Sequence, residues 1–157
     1  MKYKLTDVKI NFMGKTLFQI EAVKCFGDIV KGQKGGFIEK ESNLSQGGNA
    51  WVYGNAWVYG NAKVYGNAWV RGNAKVYGNA KVKGNADYLV IGPIGSRNDI
   101  TTFFKTANND IKVSCGCFTG TIEEFLEKVN ETHGNNNYAK EYKTAVEIAK
   151  IHIFGGE

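Results

Sequence analysis

Histidine is missing from the first 132 residues of this 157-residue chain; His133 and His152 are its two histidines. Most of the chain therefore lacks the side chain that titrates near neutral pH. Cysteine is scarce too. Cys25, Cys115 and Cys117 form an odd set, and residues 115 and 117 lie two apart, a poor geometry for a mutual disulfide. A reducing cytoplasm is the expected setting. No apolar run is long enough to span a membrane, and the polar start at Met1, Lys2, Tyr3 and Lys4 is unlike a signal peptide, so no membrane association is expected. The net charge of +5 is unevenly spread. Residues 1–43 carry eight basic and five acidic side chains, residues 44–87 five and one, and residues 88–157 seven and nine. Even in the basic half no cluster is dense enough to follow a phosphate backbone, so nucleic acid is not an expected partner.

What is present is a repeat. From Gly48 to Ala86 the chain reads Gly-Asn-Ala-Trp-Val-Tyr and its variants at a fixed period of six. Such a period is the signature of a parallel β-helix, each repeat forming one short side of a coil. Val52, Val58, Val64, Val70, Val76 and Val82 are expected to fill the interior, with Ala56, Ala62, Ala68, Ala74 and Ala80 where it narrows. Each Gly-Asn pair belongs at a corner, because glycine adopts positive φ without steric cost and asparagine tolerates it. The unit, an aliphatic residue followed four places later by a small one, resembles the left-handed β-helix of hexapeptide-repeat proteins. With three hexads per turn, Trp51 falls above Trp69, Tyr53 above Arg71, Trp57 above Lys75 and Tyr59 above Tyr77. This ladder is either covered by flanking segments or a second subunit, or offers a stacking platform for a ligand. Trp51, Tyr53, Trp57 and Trp69 are its candidate residues. Lys63, Lys75 and Lys81 replace aromatics on the outer surface, where lysine also discourages strand-to-strand association.

The expected fold is mainly β: a short left-handed parallel β-helix over residues 44–87, an N-terminal β-hairpin cap over 1–43, and a C-terminal α+β domain over 88–157. Residues 1–24 read as a hairpin turning at Met13-Gly14-Lys15. Phe37-Ile38-Glu39 is expected to form an irregular first coil side. Leu44, eight residues before Val52, is an off-register hexad. After Ala86 the period stops. Residues 88–91 and 100–105 read as strands joined by a Gly92–Asp99 loop, followed by a strand over 111–115 and on through Cys117. Thr121 and Glu124 form a capping box opening a helix that ends at His133-Gly134. A second helix is expected to bury Tyr138, Tyr142, Ala145, Val146 and Ala149.

The segments Gly-Gly-Phe-Ile-Glu-Lys-Glu-Ser-Asn-Leu-Ser-Gln (35–46), Ile-Gly-Pro-Ile-Gly-Ser-Arg-Asn-Asp (91–99) and Cys-Gly-Cys-Phe-Thr-Gly-Thr (115–121), in this order around the hexads, resemble a family of hexapeptide-repeat proteins found largely in bacteriophages and prophages. The resemblance spans essentially the whole chain. It implies the fold, a phage origin and a cytoplasmic location, and it assigns no catalytic residue.

The Gly92–Asp99 loop is the leading candidate site. Two glycines, a hydroxyl and an arginine can present N–H groups and a bidentate fork to a phosphate, against the alternative of an ordinary hairpin with Arg97 in solvent. A strand rather than a helix follows, so it is not a P-loop. The candidate ligand-binding set is Gly95, Ser96, Arg97, Asn98, Thr101, Thr102, Lys105 and Cys117. Cys115, Cys117 and His133 are too few and too tightly spaced for a zinc site, and nothing obvious orients His133 as a base for either cysteine. No catalytic residue, metal or cofactor is assigned. Hexapeptide-repeat acyltransferases use a histidine projecting between coils, and the hexads here contain none.

Three functions remain open. The first is a phage-encoded protein that binds and sequesters a phosphorylated, nucleotide-derived signal of host defence, working as a homo-oligomer. The second is a structural or protein-interaction module of a phage. The third is an enzyme acting on a small phosphorylated or acyl substrate.

Overall fold

The computed structural model describes residues 1–155. The chain divides into two compact units, Met1–Asn85 and Ala86–Glu157. The first opens with β1 (Tyr3–Phe12) and β2 (Lys15–Ala22), an antiparallel pair turning at Met13 and Gly14. Both turn residues have positive φ, 49° and 77°, as the favoured two-residue hairpin turn requires. β2 pairs antiparallel with β3 (Lys34–Ile38), and β3 pairs parallel with a hexad strand. One sheet thus carries the chain from the hairpin into the repeat.

Each hexad contributes a two-residue strand: β4 (Trp51–Val52), β5 (Trp57–Val58), β6 (Lys63–Val64), β7 (Trp69–Val70), β8 (Lys75–Val76) and β9 (Lys81–Val82). They pair in parallel, Val52 with Val70, Val58 with Val76 and Val64 with Val82, giving three ladders that repeat every third hexad. All six valines and the five alanines named above are buried. The glycines opening these hexads, such as Gly54 at φ 54° and Gly72 at φ 71°, turn the corners.

The preceding coil is irregular. Ile38 pairs with Val58 and Leu44 bridges to Val64, each two residues further apart than Val52 and Val70. The two extra residues lie between Leu44 and Val52, and Lys2 fills the space they open. Its ammonium donates to the carbonyls of Gly47 at 3.2 Å, Gly48 at 3.4 Å and Ala50 at 2.7 Å. The Lys2 backbone N–H donates to Gln46 Oε1 at 2.8 Å, and the Tyr3 hydroxyl donates to Leu44 O at 2.6 Å.

The outer aromatics do not stand free, and this corrects the reading of Trp51 as a surface residue. Trp51 is fully buried beneath Tyr3 and Phe26, its ring edge-on to both at 6.3 and 5.4 Å. Trp57 and Tyr59 pack with Ile10, Phe12 and Leu17 of the hairpin. The flanking segment thus covers much of the ladder.

The second unit is an antiparallel meander of β10 (Tyr88–Ile94), β11 (Asp99–Lys105), β12 (Ile111–Cys115) and β13 (Phe118–Thr121), followed by α1 (Ile122–His133) and α2 (Asn137–Phe154). Phe103 and Val113 of the sheet share a core with Phe125 and Val129 of α1 and with Ala139, Ala145, Val146 and Ala149 of α2. The capping box forms: Thr121 Oγ1 accepts from Glu124 N at 3.1 Å, and Glu124 Oε1 accepts from Thr121 N at 2.9 Å. Three expectations need correction. Gly92 and Pro93 belong to β10, so the loop shrinks to a turn at Gly95–Asn98. Cys117 sits in the turn before β13, a strand hidden by its small polar residues. Tyr138 is largely exposed, its ring resting 5.6 Å from that of His133.

Candidate functional site

Two tight turns of the second unit and one face of each helix meet around a cleft of about 300 Å³. The first turn joins β10 to β11. Gly95 has φ 78°, and Asn98, at φ 49°, donates its N–H to Gly95 O at 3.1 Å. A Cβ at residue 95 would overlap the Tyr142 hydroxyl, so only glycine lets the turn lie against α2. Glu141 of α2 secures the contact, its Oε1 accepting from Gly95 N at 3.0 Å. Ser96, Arg97 and Asp99 then line the cleft.

The second turn joins β12 to β13 and contributes Cys115, Gly116, Cys117 and Phe118. Arg97 Nη1 lies 2.9 Å from where a Gly116 Cβ would stand, so the guanidinium rests over bare backbone. Phe125, Lys128, Val129, Thr132 and His133 of α1 form the opposite wall, and Tyr142 of α2 closes the site.

The charged side chains of the cleft, Arg97, Asp99 and Lys128, are exposed at its rim. Arg97 and Lys128 carry permanent positive charge and Asp99 a negative one. None of the three has an ion-pair partner among the described residues. Cys115 accepts from the Thr101 hydroxyl at 3.4 Å and is also a hydrogen-bond partner of the Tyr142 hydroxyl. Burial, then the proximity of Cys115 and Glu141, push the Tyr142 phenol up to about 12 against the pull of Arg97. Tyr142 therefore stays a protonated donor at neutral pH. Its ring stacks with that of His133 at 6.0 Å and meets Phe125 edge-on at 5.4 Å.

Of the residues singled out in the sequence, Ser96, Arg97 and Cys117 line the cleft. Gly95 and Asn98 shape its turn, and Thr101 stands behind it through Cys115. Thr102 and Lys105 are not among the lining residues. Thr102 is buried and pairs with Val90 and Ser114, and Lys105 pairs with Ile111 at the far end of β11. Lys128, Thr132 and Tyr142 carried no sequence signal beyond their places on amphipathic helices. Cys115, Cys117 and His133 do share the cleft, yet no group of three metal-ligating side chains is placed to hold an ion among the described residues.

In the first unit, Tyr53 and Trp69 remain half-buried and edge-on at 6.2 Å. Arg71 lies over both rings, at 5.0 and 5.1 Å, and Lys75 lies over Trp57 at 4.8 Å. The chain's own cations thus occupy ring faces that a ligand's base would need.

No protein-family model matches the chain. A stretch of 37 residues is 46% identical to the uncharacterized acetyltransferase YdcK of Escherichia coli (strain K12). The match covers 24% of this chain and 11% of that protein. No helix among the described residues is long and apolar enough to cross a membrane.

Proposed function

We propose that the second unit binds a small phosphorylated, nucleotide-like ligand in the Arg97–Lys128 cleft and sequesters it unchanged. The observation that supports this reading is the convergence of two unpaired cations with Ser96, Thr132 and the Tyr142 hydroxyl between aromatic walls. Arginine offers a planar fork to phosphate oxygens and lysine a point charge. Phe118 and His133, both half-buried, supply rings against which a base can rest. The hexads in this reading wind as a left-handed β-helix that scaffolds a homo-oligomer. The protein is of phage origin, works in the host cytoplasm and withholds a nucleotide-derived defence signal.

Calorimetric titration with cyclic dinucleotides and ADP-ribose derivatives tests the reading. Arg97→Ala is expected to weaken binding by about 1.5–3 kcal/mol, the typical worth of a hydrogen bond to a charged group, with the melting temperature unchanged. Absence of binding across the panel would favour a structural module instead.

The Thr101–Cys115–Tyr142 cluster favours a second reading, an enzyme on the same phosphorylated ligand with Cys115 as nucleophile. Recovery of cleaved ligand would select it. Acyl transfer, the activity in the relative's name, has less support, because neither histidine lies in the hexads.

A further inference from the structure

From the charges of the cleft we infer a narrower ligand class: a phosphate ester that also carries a free vicinal diol, as a ribonucleoside monophosphate does, with Asp99 reading the diol. The inference rests on the anion-binding reading above. A carboxylate beside an anion site lowers its affinity for phosphate, since like charges repel across so short a span. Asp99 nevertheless lines the cleft beside Arg97 and forms no ion pair among the described residues. Asp99 is exposed at the rim, and its Oδ1 accepts from the backbone N–H of the next residue, Ile100, at 2.7 Å. Oδ2 has no protein donor among the described residues. A carboxylate oxygen left open at the rim of a cationic cleft is suited to accept hydrogen bonds from neutral hydroxyls, and a diol offers two. Inorganic phosphate has no neutral hydroxyl pair to offer, and whatever P–O–H donor it keeps at neutral pH sits on an anion that the carboxylate repels.

The test is calorimetry on the full chain with three probes: inorganic phosphate, adenosine 5′-monophosphate and its 2′,3′-dideoxy analogue. Wild type is expected to bind the ribonucleotide at least tenfold more tightly than the dideoxy analogue. Asp99→Asn, which keeps an Oδ1 acceptor for Ile100 N, is expected to collapse that ratio toward one and to bind inorganic phosphate more tightly than wild type. A ratio near one in wild type, or a ratio that survives Asp99→Asn, would overturn the role of Asp99. The anion-binding reading would then still stand, provided the dideoxy analogue binds and Arg97→Ala weakens it. Failure of all three probes to bind would overturn both.

Discussion

At Lys2 an ammonium group is buried against three backbone carbonyls and lies 4.9 Å from the centre of the Phe26 ring. Burial pushes its pKa down to about 8, whereas an unfolded lysine holds its proton to roughly 10.4. Between those values the unfolded chain binds more protons, so stability rises with pH. The phenols act in the opposite sense. Burial holds Tyr3, Tyr59 and Tyr142 above the ordinary tyrosine value. Unfolded tyrosine ionises near pH 10, so their contribution is complete below about pH 10 and is lost above it. Urea denaturation from pH 7 to 11 should therefore show stability rising from pH 8 toward 10 and falling beyond. Lys2→Met should remove the rise, and a steady fall from pH 8 in wild type would contradict this account. Arg97, Ser96 and Cys117 were legible in the sequence because turn residues advertise themselves. Lys128 was not, because one lysine on an amphipathic helix reads the same in solvent as in a cleft. The burial of Trp51 depends on Tyr3 and Phe26, whose arrival over it is set by long-range packing.

Among the elements, the hexads were the most legible, down to the pairing of Val52 with Val70 and Val58 with Val76. A repeat converts tertiary register into a sequence period, so local pattern and packing coincide. β13 was hidden because Thr-Gly-Thr has little strand character without its partner β12. The repeat also stakes much on each inward position. Val70 is fully buried, and Val70→Asp would place an unpaired charge there, costing several kcal/mol against a total stability of about 5–15 kcal/mol. Circular dichroism should show the first unit unfolded, and a wild-type melting curve would contradict the inward placement of this hexad.

For the whole molecule, assembly through the hexads depends on the aromatic surface that the chain leaves accessible. The hairpin and Tyr3 remove Trp51 and much of Trp57 and Tyr59 from consideration. Half-buried Trp69 and Tyr53 remain. Light scattering should show an oligomer in wild type and a smaller species in Trp69→Ser, and a monomeric wild type at high concentration would rule this assembly out. The central claim concerns the cleft of the second unit. It is tested most directly by incubating the protein with cyclic dinucleotides and ADP-ribose derivatives, removing free ligand, denaturing by heat and chromatographing what is released. Sequestration predicts intact ligand, close to one per chain, from wild type and far less from Arg97→Ala. Cleaved ligand, or equal recovery from both proteins, would contradict it.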